Sequence, residues 1–248
     1  MNAREFPDIL NIAPVPHLRI QLIHIPQLAA YLLTKALPEK YTVCKPQMFA
    51  PGDFIRPFLS PEELDRLNRF KALKKQVEWF CGRFSLKWLV RSVLSPESPL
   101  SGISIRYRKE GAPFLSDHPE YCISLSHSNN YTAAAIAMTP GFRMGIDIEA
   151  IGEQPDHAFM KTAFTDREIS EMVADRESGP RTVFRHWTLK EAYLKYIGRG
   201  FNENLHQVET LTRGIFHGGK QIDLTCWSRE VVQGYMLSAV FDPADSDL

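Results

Sequence analysis

The chain lacks any paired cysteine motif. Its four cysteines, Cys44, Cys81, Cys122 and Cys226, lie far apart with no Cys-x-x-Cys pair, which argues against a zinc site and a disulfide framework and leads us to expect a reducing cytoplasm. An excess of one charge is missing too: 29 Lys and Arg balance 29 Asp and Glu in 248 residues, predicting neither a nucleic-acid binder nor a membrane-surface protein. No apolar run is fit to span a bilayer, because residues 18–37 carry Arg19, His24, Pro26, Gln27 and Lys35. The first sixteen residues contain Pro7, Pro14 and Pro16 and lack the basic start and apolar core of a signal peptide, so a loose arm is expected over 1–17. No fixed-period repeat is visible. What remains is ordinary globular composition, 44% hydrophobic and 23% charged, enough for one large domain or two small lobes.

Within this neutral chain the charges are unevenly placed. In Phe184–Ile197, residues Leu189, Ala192, Tyr193, Tyr196 and Ile197 have the spacing of one buried helix stripe, and Gly198 and Gly200 supply stop signals. The remaining face sets Glu191 and Lys195 one turn apart, with Lys190 beside them and Trp187 one turn before. A surface helix with an ordinary ion pair would explain that face as well. Upstream, in Arg143–Glu149, strand alternation puts Asp147 and Glu149 on one face and Ile146 and Ile148 on the other. If half-buried, such close carboxylates need a shared proton or a cation, and a few oxygen ligands suit Mg²⁺, with Glu191 as candidate third carboxylate. An exposed strand face with both acids in water is the alternative.

Ser60-Pro61-Glu62-Glu63 predicts a helix start with a Ser cap, Pro in the first turn and a reciprocal Glu, followed to Leu94 by one long helix or two consecutive ones. Beyond Glu63, the cations Arg66, Arg69, Lys71, Lys74, Lys75, Arg83, Lys87 and Arg91 face only Asp65 and Glu78, predicting a basic surface: either solvated helix faces or a dock for an anionic group. Strands are expected over 18–25, 103–107, 121–128, 131–137, 205–212, 220–227 and 234–241, with turns at Gly111-Ala112-Pro113 and Asn129-Asn130. A short helix is expected over 27–37, a loop over 38–53, and a frayed tail over 242–248. Thr165 and Glu168 repeat the capping box, which gives Glu168 a complete structural explanation and starts a helix to about Asp175, with a loop over 176–180. His127, between Ser126 and Ser128, reads as a buried histidine, a hydrolase partner or a phosphate donor. A serine hydrolase using Ser126 is disfavoured: no Gly-x-Ser-x-Gly elbow surrounds it, and its neighbour His127 points to the opposite strand face.

In order along the chain, Gly111-Ala-Pro113, Ser124-Leu-Ser-His-Ser128, Gly145-Ile-Asp-Ile-Glu149, Phe164-Thr-Asp-Arg-Glu168 and Trp187-Thr-Leu-Lys-Glu-Ala-Tyr-Leu-Lys195 resemble the 4′-phosphopantetheinyl transferases of the surfactin-synthetase-activating type. The resemblance runs from about Ser60 to Phe241. It implies a monomeric α+β pseudo-dimer of two similar lobes, 18–141 and 142–248, each with a small antiparallel sheet packed on a helix, with coenzyme A in the cleft between them. It further implies transfer of the phosphopantetheine arm of coenzyme A to a serine of an apo acyl or peptidyl carrier protein, releasing adenosine 3′,5′-bisphosphate. Under it Asp147, Glu149 and Glu191 hold Mg²⁺, and Glu191, directly or through a metal-bound water, is the base. Lys195 stabilises or protonates the leaving bisphosphate and Lys190 contacts pyrophosphate. Ser126 and His127 contact the 3′-phosphate region of the coenzyme, and Arg83 holds the family's Gly-Arg step, joined by Arg66 and Arg69. One departure is Ala112, where the family commonly has Lys; Arg108 and Lys109 are the nearest substitutes. A metal-dependent nucleotide or phosphoester hydrolase and a non-catalytic carrier-binding module are the readings left open beside it.

Overall fold

Short alternating segments dominate the N-terminal half. The computed structural model describes residues 6–34, 55–175 and 179–243. Ile9–Ile12 (β1) pairs antiparallel with Leu18–His24 (β2), Ile9 opposite Ile23 and Ile12 opposite Ile20. The expected loose arm is therefore corrected over these residues: the prolines Pro14 and Pro16 fall in the connection, where no ladder hydrogen bond is lost. Ile25–Thr34 forms α1, and the loop expected over 38–53 lies outside the described residues.

Ser60 caps Pro61–Arg69 (α2) through the full reciprocal box: Glu63 N–H donates to Ser60 Oγ, and Ser60 N–H donates to Glu63 Oε2 at 2.9 Å. A break then separates Leu73–Leu94 (α3), with Gln76 Nε2 donating to the Phe70 carbonyl that the break leaves free. Ile105–Tyr107 (β3) and Pro113–Leu115 (β4) make a hairpin that turns at Gly111, whose φ of 93° favours glycine. Ile123–Ser128 (β5) and Tyr131–Ala137 (β6) follow, joined through Asn129 at φ 46°, as the Asn-Asn pair predicts. Strands β5 and β6 join β1 and β2 in one antiparallel sheet in the order β1-β2-β6-β5, while β3 and β4 form a sheet of their own. Ile23, Ala134 and Ile136 on its outer face pack with Phe80, Phe84 and Val90 of α3.

Met144–Ala150 (β7) opens the second half. His157–Ala163 (α4), capped by Asp156, is a helix the pattern analysis did not anticipate. Asp166–Ala174 (α5) carries the expected Thr165–Glu168 box, and Pro180–Tyr196 (α6) contains the predicted amphipathic stretch. Beyond it, Val208–Leu211 (β8), Gly214–His217 (β9) and Lys220–Ile222 (β10) form one small sheet, and Thr225–Val232 (β11) and Tyr235–Phe241 (β12) join β7 in the order β11-β12-β7. The three expected strands become five because Gly214, Gly218 and Gly219, all at positive φ, fold the segment into extra hairpins. Asp242 is not part of a frayed tail: it accepts from Arg143 N–H and from Tyr196 Oη, both at 2.6 Å.

The β11-β12-β7 sheet has two different faces. Ile146, Ile148, Leu237 and Ala239 pack with Leu18, Ile20, Ala133 and Ala135 of the first sheet in one apolar layer, and the opposite face carries α6. The order helix, sheet, sheet, helix is the α+β arrangement expected, with small antiparallel sheets on helices.

Candidate active site

Alternation along β7 gives each face one task. With Ile146 and Ile148 committed to the apolar layer, Gly145, Asp147 and Glu149 face α6. The contact there is backbone against backbone: a Cβ on Gly145 would stand 2.2 Å from the Ala192 carbonyl oxygen and 2.5 Å from the Tyr196 nitrogen. An isolated glycine in a strand signals such an approach, and that signal in Gly145 was available in the sequence.

This approach brings the predicted acids and lysine together. Lys195 Nζ donates to Asp147 Oδ1 at 2.7 Å, Ser126 Oγ donates to the same oxygen at 2.6 Å, and Ser128 Oγ donates to Glu149 Oε2 at 2.6 Å. Asp147 is 3% exposed, and its second oxygen, Oδ2, is buried without a hydrogen-bond partner among the described residues. Burial first, then the Asp147 charge and finally that of Glu149, pushes Glu191 up to about 8 against the opposing pull of Lys195. Glu149 is raised as well, chiefly by burial and against its bond from Ser128. Asp147, Glu149 and Glu191 therefore occupy one shared field.

Among the described residues, no group of three His, Cys, Asp or Glu side chains is already gathered around a metal position. Asp147 Oδ1 is instead turned to Lys195 and Ser126. The donor chemistry still fits a hard cation, because a buried carboxylate oxygen lacks a partner among the described residues and the Asp147 charge raises both Glu149 and Glu191, as crowded anionic oxygens do when positive charge is short.

Lys190 does not join this cluster. Its ammonium, with the side chain 0% exposed, donates to Glu168 Oε2 at 2.7 Å, to the Ala163 carbonyl at 2.8 Å and to the Leu205 carbonyl at 3.1 Å. The expected pyrophosphate contact is corrected to an internal tie among α4, α5 and α6. Lys190→Met is expected to cost about 3 kcal/mol by leaving Glu168 buried and unpaired, and adding Glu168→Gln should recover part of it; urea unfolding of both variants checks this.

Two members of the expected basic surface are corrected in the same way, while Arg66, Arg69, Lys71, Lys74 and Lys75 are exposed as expected. Arg83 and Lys87 are 1% and 0% exposed, and both meet Glu63: Arg83 Nε lies 3.4 Å from Glu63 Oε1, and Lys87 Nζ bonds Glu63 Oε2 directly. Arg83 also donates to Tyr107 Oη, so it does not present the open basic face expected of it. Arg66 is exposed with its guanidinium 4.2 Å over the Tyr107 ring, and Arg69 is exposed. His127 points to the opposite face from Ser126, exposed, with Nε2 3.8 Å from Glu78 Oε2; Lys75 donates to the same Glu78 oxygen at 2.9 Å. At Ala112 the turn is held by backbone, Arg108 N–H donating to the Ala112 carbonyl at 2.8 Å.

On the side of α6 that meets β8, His186 is buried, with Nδ1 2.7 Å from the Thr210 carbonyl oxygen. Burial, then Arg185, holds its pKa below the usual 6.5. A base whose folded pKa is depressed costs stability as pH falls, because the unfolded chain takes up the proton first. The melting temperature should therefore drop below about pH 6.5, and His186→Gln should reduce that slope; thermal melts from pH 7.5 to 5 read both.

Comparison with known proteins adds the following. Residues 143–240 match the family model described as the 4'-phosphopantetheinyl transferase superfamily. The chain is 28% identical over 164 residues to the L-aminoadipate-semialdehyde dehydrogenase-phosphopantetheinyl transferase of Rattus norvegicus, covering 61% of this chain and 52% of that protein. It is 31% identical over 156 residues to 4'-phosphopantetheinyl transferase HetI of a Nostoc species, covering 61% and 64%, and 26% identical over 194 residues to 4'-phosphopantetheinyl transferase gsp of Aneurinibacillus migulanus, covering 75% and 77%. The chain spans about half the length of the rat protein. Among the described residues no helix is long and apolar enough to cross a membrane.

Proposed function

Since residues 143–240 carry the pattern of the 4′-phosphopantetheinyl transferase superfamily, we propose that this protein moves the phosphopantetheine arm of coenzyme A onto a serine of apo acyl or peptidyl carrier proteins. The carrier serine oxygen forms a bond to the β-phosphorus of coenzyme A, the pyrophosphate P–O bond breaks, and adenosine 3′,5′-bisphosphate leaves. The observation that carries this reading is the Asp147–Lys195 contact beside Glu149 and Glu191 at the β7–α6 approach.

Each residue then has a task. Glu191, raised toward neutrality, takes the proton of the carrier serine, directly or through water, since a base works best near the operating pH. Lys195, 2.7 Å from Asp147 and one turn from Glu191, offers its ammonium to the departing bisphosphate. His127, exposed on the other face of β5 beside Glu78, and Arg66, exposed on α2 over the Tyr107 ring, would meet the 3′-phosphate region of the coenzyme. Arg83 braces that side from within through Tyr107 and Glu63. Asp147, Glu149 and Glu191 would hold Mg²⁺, which when bound supplies positive charge to the pyrophosphate oxygens. The reading includes two lobes, 18–141 and 142–248, in a cytoplasmic monomer.

The test is intact-mass analysis of an apo acyl and an apo peptidyl carrier protein incubated with this protein, coenzyme A and Mg²⁺. One added phosphopantetheine per carrier, lost with EDTA, is the expected result. Bisphosphate released without any carrier would replace this reading with a hydrolase; coenzyme A bound with no carrier modified would replace it with a binding module.

A further inference from the structure

Strands β5 and β7 are edges of two different sheets, and they meet without a backbone ladder. Among the described residues, the hydrogen bonds across the junction use side chains of β5 or of Cys122, the residue before it. Cys122 Sγ donates to the Met144 carbonyl at 3.3 Å, Ile146 N–H donates to Ser124 Oγ at 3.2 Å, and Ala150 N–H donates to Ser128 Oγ at 3.1 Å, all at an offset of 22 residues. A constant offset means the strands run parallel, with serines at alternate positions of β5 reaching across. Two of these serines do more than join edges. Ser126 donates to Asp147 Oδ1 and Ser128 donates to Glu149 Oε2, both at 2.6 Å, within the short range of bonds to ionised acceptors. Ser126 and Ser128 are 6% and 9% exposed, so water competes little for either bond.

We infer that Ser126 and Ser128 are positioning residues that act through Asp147 and Glu149, fixing which carboxylate oxygens remain for a divalent cation. The inference rests on the proposed metal-dependent transfer. With Ser126 and Lys195 both on Oδ1, Asp147 presents Oδ2, the buried oxygen that lacks a partner. Ser128 links two groups: it accepts from the Ala150 backbone and donates to Glu149, so the backbone of β7 sets the direction of its own carboxylate through a β5 hydroxyl. Ser126 is thereby assigned to Asp147 in place of the coenzyme. Ser124 supplies an internal control, since it joins the same edges through the Ile146 backbone and has no hydrogen bond to a carboxylate among the described residues.

The experiment measures Mn²⁺ uptake by the full chain with coenzyme A present, from the electron paramagnetic resonance of free Mn²⁺, for wild type and for Ser124→Ala, Ser126→Ala and Ser128→Ala, beside thermal melts and calorimetric coenzyme A binding without metal. Ser126→Ala and Ser128→Ala are expected to weaken Mn²⁺ about tenfold or more, the effect usual for groups that orient metal ligands, with coenzyme A affinity unchanged. Ser124→Ala is expected to lower the melting temperature and leave Mn²⁺ affinity alone. Equal Mn²⁺ affinity in all three variants overturns the inference, as does a loss with Ser124→Ala matching the other two. A Ser126→Ala variant that loses coenzyme A affinity and keeps Mn²⁺ restores Ser126 to the coenzyme. Wild-type protein that takes up no Mn²⁺ overturns the metal site itself, and the inference with it. Should Ser126→Ala fold poorly, Ser128→Ala carries the same comparison.

Discussion

Gly145→Ala is expected to destabilise the protein by at least about 4 kcal/mol, or to prevent folding, an effect among the largest that one methyl group produces. The methyl would lie 2.2 Å from the Ala192 oxygen, 2.5 Å from the Tyr196 nitrogen and 3.0 Å from the Lys195 carbonyl carbon. All three are backbone atoms of the last turns of α6, so no rotamer change relieves the clash. Either α6 moves away from β7, opening the cluster of Ala192, Tyr193 and Val240, or the strand distorts and the β12 ladder suffers. Both routes separate Asp147 from Lys195, so any folded remnant should also be inactive. Gly152→Ala is the control, since its nearest foreign atom is Phe184 Cζ at 3.8 Å, an ordinary contact. Urea unfolding of the two variants decides: a Gly145→Ala protein as stable as Gly152→Ala would mean that this approach does not set the site.

What the sequence made legible was local. Asp147 and Glu149 share a face because strand alternation fixes it, and Glu191 and Lys195 share a face because a helical turn does. Lys190 was misplaced because neighbouring helix positions diverge by about 100°, which turns it from Glu191 towards α5. Its partner Glu168 was already fully accounted for as a cap. The same thing happened in the first half, where Glu63 closes the α2 capping box and also receives Lys87 and Arg83 of α3. In each half, a capping-box glutamate holds a buried lysine from the following long helix: Glu63 with Lys87, and Glu168 with Lys190. A capping box can be read from four consecutive residues. The second partner comes from a distant part of the chain and has no local signature, so cations that look solvated in the sequence prove to be buried.

Glu191→Gln is expected to reduce carrier modification by about 10²–10⁴-fold, the range that a positioned base contributes, with coenzyme A binding retained. Glutamine keeps the size and one carbonyl oxygen, so packing at the half-buried position survives while the proton acceptor is lost. The same substitution should stabilise the metal-free chain. An acid whose folded pKa is raised, here to about 8, keeps its proton in the native state after the unfolded chain has released it, so stability falls as pH climbs from about 4.5 through about 8. Glutamine carries no charge to repel Asp147 and Glu149, and should remove that slope. The gain should be on the order of 1 kcal/mol or more at pH 8, measured by urea unfolding in EDTA, and should shrink when Mg²⁺ is added, since a bound cation stabilises the ionised wild-type acid. Activity and stability then move in opposite directions at one position, as expected where strain among like charges is retained for chemistry. A variant with wild-type turnover would remove Glu191 from the reaction. One that is inactive and no more stable at any pH would show that Asp147 and Glu149 do not act on it electrostatically.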